Sequence, residues 1–102
     1  MDKCHALFRL NRWFLSQCDQ DWEHGDGIEL RTLDNPGWLL RIDIGGTELE
    51  KAKLSEVLEV GDNFLYIKRE LHNGKMKIVG SCCAIRLDEM LEKILNWIEN
   101  RG

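Results

Sequence analysis

Cys82 and Cys83 stand side by side in the small-residue run Gly80-Ser81-Cys82-Cys83-Ala84, just ahead of a helical pattern. A thiol near a helix N-terminus has a lowered pKa, and small neighbours leave room for a substrate. A thiol-dependent enzyme would keep its nucleophile here. The competing reading is packing, because cysteine is among the most buried residue types and behaves as a small hydrophobe. Asp21 and Glu23 flank Trp22 as a carboxylate pair, but a glycosidase pair needs a sugar-sized cleft between its two groups. His5, His24 and His72 are far apart and share no metal-ligand spacing with the cysteines, among which there is no CxxC. Adjacent strand thiols point to opposite faces, so Cys82 and Cys83 would converge on a metal only in a bend. No P-loop, GxGxxG or GxSxG is present. These residues lead to the expectation of no catalytic set, no metal and no cofactor.

Recognition chemistry is better represented. Between Asp19 and Glu29 there are five acids (Asp19, Asp21, Glu23, Asp26 and Glu29) and no Lys or Arg. Such a run repels itself in the free protein, and a basic partner would relieve the repulsion. Trp22 could then be a buried anchor, with Asp19, Asp21, Glu23 and Asp26 as a steering rim around it. The alternative is local: Asp19 or Asp21 caps a turn, Trp22 packs over the helix end and the sheet, and Glu23 pairs with Arg31 or Arg41. The other tryptophans read as core, Trp13 and Trp97 beside helical apolar stripes and Trp38 on the apolar face of a strand.

These residues need a scaffold, and composition bounds it. The chain has 102 residues, 18 acids and 14 Lys plus Arg, for a net charge of −4. That is enough for one domain over residues 1–102 with its own core. The acidic balance argues against direct nucleic-acid binding, whose footprint is a basic patch. No signal-peptide pattern opens the chain, and no apolar run reaches the roughly 18–20 residues of a membrane span. Four cysteines without a framework spacing fit free thiols in a reducing cytoplasm.

Periodicity supplies the elements. Residues 3–18 read as a helix with Leu7, Leu10, Phe14 and Cys18 on one stripe, widened by Ala6 and Trp13, and with Lys3, Arg9, Arg12 and Gln17 on the wet side. Strands alternate over 27–33 and 38–44, joined by Asp34-Asn35-Pro36-Gly37. There Pro36 and Gly37 suit a type II turn with Gly37 at positive φ. Residues 47–56 are ambiguous. A short strand at 57–60 precedes strong alternation over 64–71, and Asn73-Gly74 signals a tight hairpin back along Lys75 to Val79. A helix over 86–100 carries Leu87, Met90, Leu91, Ile94 and Ile98 on one stripe. One-sided strands and two amphipathic helices predict a two-layer α+β domain. Its antiparallel sheet has four or five strands, with the N-terminal and C-terminal helices on one face.

The combination of motifs resembles the immunity protein 53 family, small bacterial proteins encoded beside polymorphic toxins. The resemblance rests on Trp13-Phe14, on Gln17-Cys18-Asp19-Gln20-Asp21-Trp22-Glu23-His24, on Gly27-Ile28 and on Thr32-Leu33-Asp34-Asn35-Pro36-Gly37-Trp38. It continues through Ile42-Asp43 and Thr47-x-Leu49 and returns at Leu91 and Leu95-Asn96-Trp97. Residues 50–84 match loosely, and Gly80 to Ala84 departs most. The resemblance implies a non-enzymatic inhibitor that binds a cognate toxin domain and blocks it inside the producing cell. It leaves the toxin's chemistry open. The charge alone is compatible with a basic nuclease as the toxin, and a small enzyme using Cys82 or Cys83 is the alternative.

Overall fold

The computed structural model describes residues 5–20 and 22–100. Helix α1 (Ala6–Gln17) leads through a 3₁₀ turn (Trp22–His24) into strands β1 (Ile28–Leu33) and β2 (Gly37–Asp43). Strands β3 (Val57–Glu59), β4 (Leu65–His72) and β5 (Lys75–Cys83) follow, and a 3₁₀ turn (Ala84–Arg86) opens α2 (Leu87–Glu99). The strands form one antiparallel sheet in the order β1-β2-β5-β4-β3. The fold is therefore α+β.

Alternation explains the layering. Leu40 lies opposite Gly80, and Ile42 opposite Ile78. Leu65 lies opposite Cys82, and Ile67 opposite Gly80. Directly opposed residues share a face. Apart from Gly80, these residues join Leu10, Trp13, Met90, Leu91, Ile94 and Leu95 in a single core cluster. Both helices thus cover one face of the sheet. The other face, carrying Arg31, Leu39, Arg41, Tyr66, Lys68 and Val79, has no helix on it among the described residues.

Two elements differ from their sequence reading. Strand β5 continues four residues past Val79 to Cys83 and lies between β2 and β4. Its Gly80 sits beneath α2, where an added Cβ would come within 2.9 Å of Ile94 Cδ1 and Met90 Sδ. The small residues of this segment are what allow a central strand and a helix to approach. Helix α1 is rotated relative to the expected stripe: Ala6, Arg9, Leu10 and Trp13 are buried, whereas Leu7 is exposed. Residues 3 and 4 of the expected helix lie outside the described residues. His5 caps it instead, its Nδ1 accepting the Leu7 N–H at 3.3 Å.

Arg9, assigned to the wet side from the sequence, is only 8% exposed and joins the two helices. Its guanidinium donates to Glu99 at 2.9 and 2.7 Å, to Glu92 at 2.8 Å and to Asn96 at 2.9 Å. The ambiguous segment 47–56 is turns as far as Lys51 and irregular over 52–56, held from inside by fully buried Leu49. From outside, Trp97 Nε1 donates to Lys53 O at 2.6 Å, and Arg69 donates to the carbonyls of Ala52 and Glu50. The hairpin at Asn73-Gly74 forms as expected, with both residues at positive φ (53° and 78°) and His72 opposite Lys75.

Candidate partner-binding surface

The connector between α1 and β1 is organised by its own side chains. Asp19 Oδ1 accepts the Trp22 N–H at 2.9 Å and sets the 3₁₀ turn. That places the Trp22 ring edge-on to Trp13, with centroids 5.6 Å apart at 88°, and tilted against Phe14. The indole N–H then donates to Asp43 O at 3.1 Å. Trp22 is therefore half-buried, packed on α1 and bonded to the end of β2. Asp26 bonds the buried ammonium of Lys77 at 2.7 Å, and Lys77 holds its carboxyl below the usual carboxylate range. Glu29 pairs with Arg41 at 3.0 Å and with Arg31 at 3.2 Å.

Asp21 and the side chain of Glu23 lie outside the described residues. Asp19 and Asp26 are exposed and line two neighbouring hollows. The one beside Asp19 and Trp22 has a volume of about 370 Å³. The one beside Asp26, Arg41, His72 and Lys77 is about 340 Å³ and polar. The structure thus gathers both capping and charge in the connector.

The uncovered sheet face carries a second surface feature. A groove of about 530 Å³ crosses it, floored by Leu39 and Val79, with Tyr66 and Leu58 along one side and Lys68 and Glu70 at its rim. Leu39 in β2 and Tyr66 in β4 interrupt the otherwise polar second face of their strands, which is only a partial signal.

The cysteines do not converge. Cys82 faces the core with no exposure, and Cys83 faces the opposite side of the sheet. Burial pushes the Cys82 thiol up to about 11, opposite to what a nucleophile requires. Cys83 lines a hollow of about 420 Å³ whose described lining includes no histidine. Among the described residues, no three His, Cys, Asp or Glu side chains gather where they could hold a metal ion. A thiol reagent at neutral pH should leave Cys82 unmodified in the folded protein and modify it only as fast as the fold opens. Peptide mapping after timed labelling checks this, and rapid labelling of Cys82 below the unfolding transition would reinstate the thiol-enzyme reading.

The fold is a one-sided α+β domain whose strongest surface features are a charged connector and an uncovered, partly apolar groove. Residues 7–99 match the model of the immunity protein 53 family, and the chain belongs to that family. Membership makes it an immunity protein of a toxin system. Comparison with curated proteins and with solved structures gave no match. Among the described residues, no helix is long and apolar enough to cross a membrane.

Proposed function

We propose that the protein binds a cognate toxin domain in the bacterial cytoplasm and neutralises it by covering its working surface, without doing chemistry itself. The family match over residues 7–99 carries this reading. The buried, protonated Cys82 supports it against the thiol-enzyme alternative. The net charge of −4 favours a basic toxin surface, such as that of a nuclease. In this reading Asp19, Asp21, Glu23 and Asp26 form the acidic rim that steers the toxin, and Trp22 holds the rim in place from beneath.

Mixing the purified chain with the toxin domain encoded beside its gene tests the reading directly. A one-to-one complex and loss of toxin activity are expected; no complex at micromolar concentration would refute it. The rim makes a separate kinetic prediction. Asp19→Asn, Asp21→Asn and Glu23→Gln together should slow association about tenfold at low ionic strength and much less at 0.5 M salt, on the order of what steering by a few charges supplies. Dissociation should change little. Asp26 is left in place because it neutralises buried Lys77. Wild-type association by the triple variant at low salt would move the interface away from the connector.

A further inference from the structure

We propose that the outer edge of β1 is a self-association site, at which two copies of this chain pair antiparallel about a twofold axis through Leu30 and join their sheets. The proposal goes beyond inhibition of a toxin and does not depend on it.

β1 ends the sheet and pairs only with β2 among the described residues. Gly27 O accepts the Asp43 N–H at 2.9 Å, and Glu29 lies opposite Arg41 in the same register. In an antiparallel pair the backbone groups of alternate residues point inward and outward. The odd-numbered residues of β1 therefore bond β2, and the N–H and C=O groups of Ile28, Leu30 and Thr32 face outward. Native sheets protect such edges with proline, lysine, bulges or very short strands. β3, at the opposite edge, is three residues long, whereas β1 runs six residues, Ile-Glu-Leu-Arg-Thr-Leu, with neither proline nor lysine. Leu30 and Thr32 belong to the helix side of the sheet, yet both are exposed, so among the described residues no helix overhangs this edge.

Charge decides which occupant fits and in what register. Side chains of paired strands must share faces, so position sums across the seam must be even. Centring the pair on Leu30 sets Leu30 against Leu30, Ile28 against Thr32, and Glu29 against Arg31 twice. It also satisfies the outward backbone groups of all three even-numbered residues on both copies. Moving the centre by one residue sets Glu29 against Glu29 or Arg31 against Arg31. Only the Leu30-centred register is self-complementary. Glu29 and Arg31 are about half exposed and already meet at 3.2 Å within one chain, so the seam would extend the Arg41–Glu29–Arg31 group across both copies. The twofold axis lies normal to the sheet. It yields ten continuous strands with the helices of both copies on one side.

Sedimentation equilibrium on the full chain, from micromolar to near-millimolar concentration, tests the proposal. The mass should rise with concentration from 11.9 kDa toward twice that value. Hydrogen exchange should show the Leu30 and Thr32 amides protected at high concentration and open at low. Arg31→Glu and Glu29→Arg should each weaken the dimer at least about tenfold, since each turns two attractive cross-strand pairs repulsive. Mixed in equal amounts, the two variants should pair with one another at close to wild-type strength. Should Glu29→Arg fold poorly beside Arg41, Leu30→Lys sets two lysines face to face at the axis and should abolish dimerisation with its circular dichroism unchanged. A chain that stays at monomer mass throughout would overturn the proposal. So would a dimer indifferent to these variants. Protection of the edge amides that appears only when a toxin domain is added to a monomer would assign the edge to a toxin strand, and overturns it too.

Discussion

Arg9→Met should lower the stability of the protein by about 2 kcal/mol, roughly 10 °C in melting temperature for a domain of this size. Among the described residues, four hydrogen bonds from this side chain cross from α1 to α2. Charge-assisted bidentate bonds of this kind are stronger than neutral ones and fix geometry as well as energy. Removing one partner of a fully buried pair costs more, about 3–5 kcal/mol, because a charge is left stranded. Here the stranded groups are the carboxylates, and they are the wetter half: Glu92 is 47% and Glu99 36% exposed. Both can recover water, which keeps the cost near the lower figure. Methionine retains the apolar stem, so the loss isolates the charge and its bonds. Thermal or urea unfolding checks the prediction. A change under about 0.5 kcal/mol would mean that the helices are held by their apolar contacts alone, as for an ordinary surface pair.

The same clamp predicts a dependence on acid. The Arg9 guanidinium, by hydrogen bond first and by charge second, holds the Glu99 carboxyl below its ordinary value. A carboxyl depressed in the folded state stabilises the fold fully above its unfolded value, about 4.3 for glutamate, and loses that contribution as pH falls toward the folded value. Stability should therefore decline more steeply below about pH 4.3 in the wild type than in Arg9→Met, where Glu99 keeps only the exposed Arg12 at 3.6 Å.

The architecture was legible wherever a pattern had one dominant cause. One-sided alternation placed β1, β2 and β4, and the Asn73-Gly74 turn placed the hairpin, because each is a local signal. The extension of β5 to Cys83 was not legible. Gly80, Ser81 and Cys82 have little strand preference of their own, and the strand forms there because β2 and β4 bond it from both sides while α2 presses on Gly80. Arg9 was misread for a related reason. A charged residue beside an apolar stripe reads as solvated until the carboxylates that face it are known, and Glu92 and Glu99 lie more than 80 residues away. The connector was legible as an acidic run, but not the capping by Asp19 or the pairing of Asp26 with Lys77, which spans 51 residues. The open groove on the sheet is lined from β2, β3, β4 and β5 together, and no single segment encodes it.

Gly37→Ala should be at least as damaging, at about 2–3 kcal/mol, and its cause differs from the one the turn sequence suggests. Pro36-Gly37 reads as a type II turn with Gly37 at positive φ. In the structure Gly37 is the first residue of β2, paired with Leu33 and Cys83, and it is not among the residues at positive φ. What excludes a side chain is proximity. A Cβ on Gly37 would lie 2.4 Å from the Cys82 carbonyl oxygen, with Asn35 Oδ1 at 3.2 Å and the Phe64 ring at 3.3 Å. A backbone oxygen in the central strand cannot step aside as a side chain can, so alanine must part β2 from β5 where their ladder begins. Overpacking of a rigid site costs typically 1–3 kcal/mol, and the loss of ladder bonds adds to it. Two comparisons separate this cause from the turn reading. Gly80→Ala meets only the flexible ends of Ile94 and Met90 at 2.9 Å and should cost about 1 kcal/mol. Gly46→Ala, at φ 80° with nothing within 4 Å of the new carbon, should cost a similar amount for backbone strain alone. If Gly37→Ala proves no worse than Gly46→Ala in urea unfolding, the close approach of the two strands is not what selects glycine there. Because Trp38 and Cys82 face one another one step along the same ladder, a forced separation should also increase the exposure of the half-buried Trp38. Its fluorescence should shift to the red in Gly37→Ala but not in Gly46→Ala.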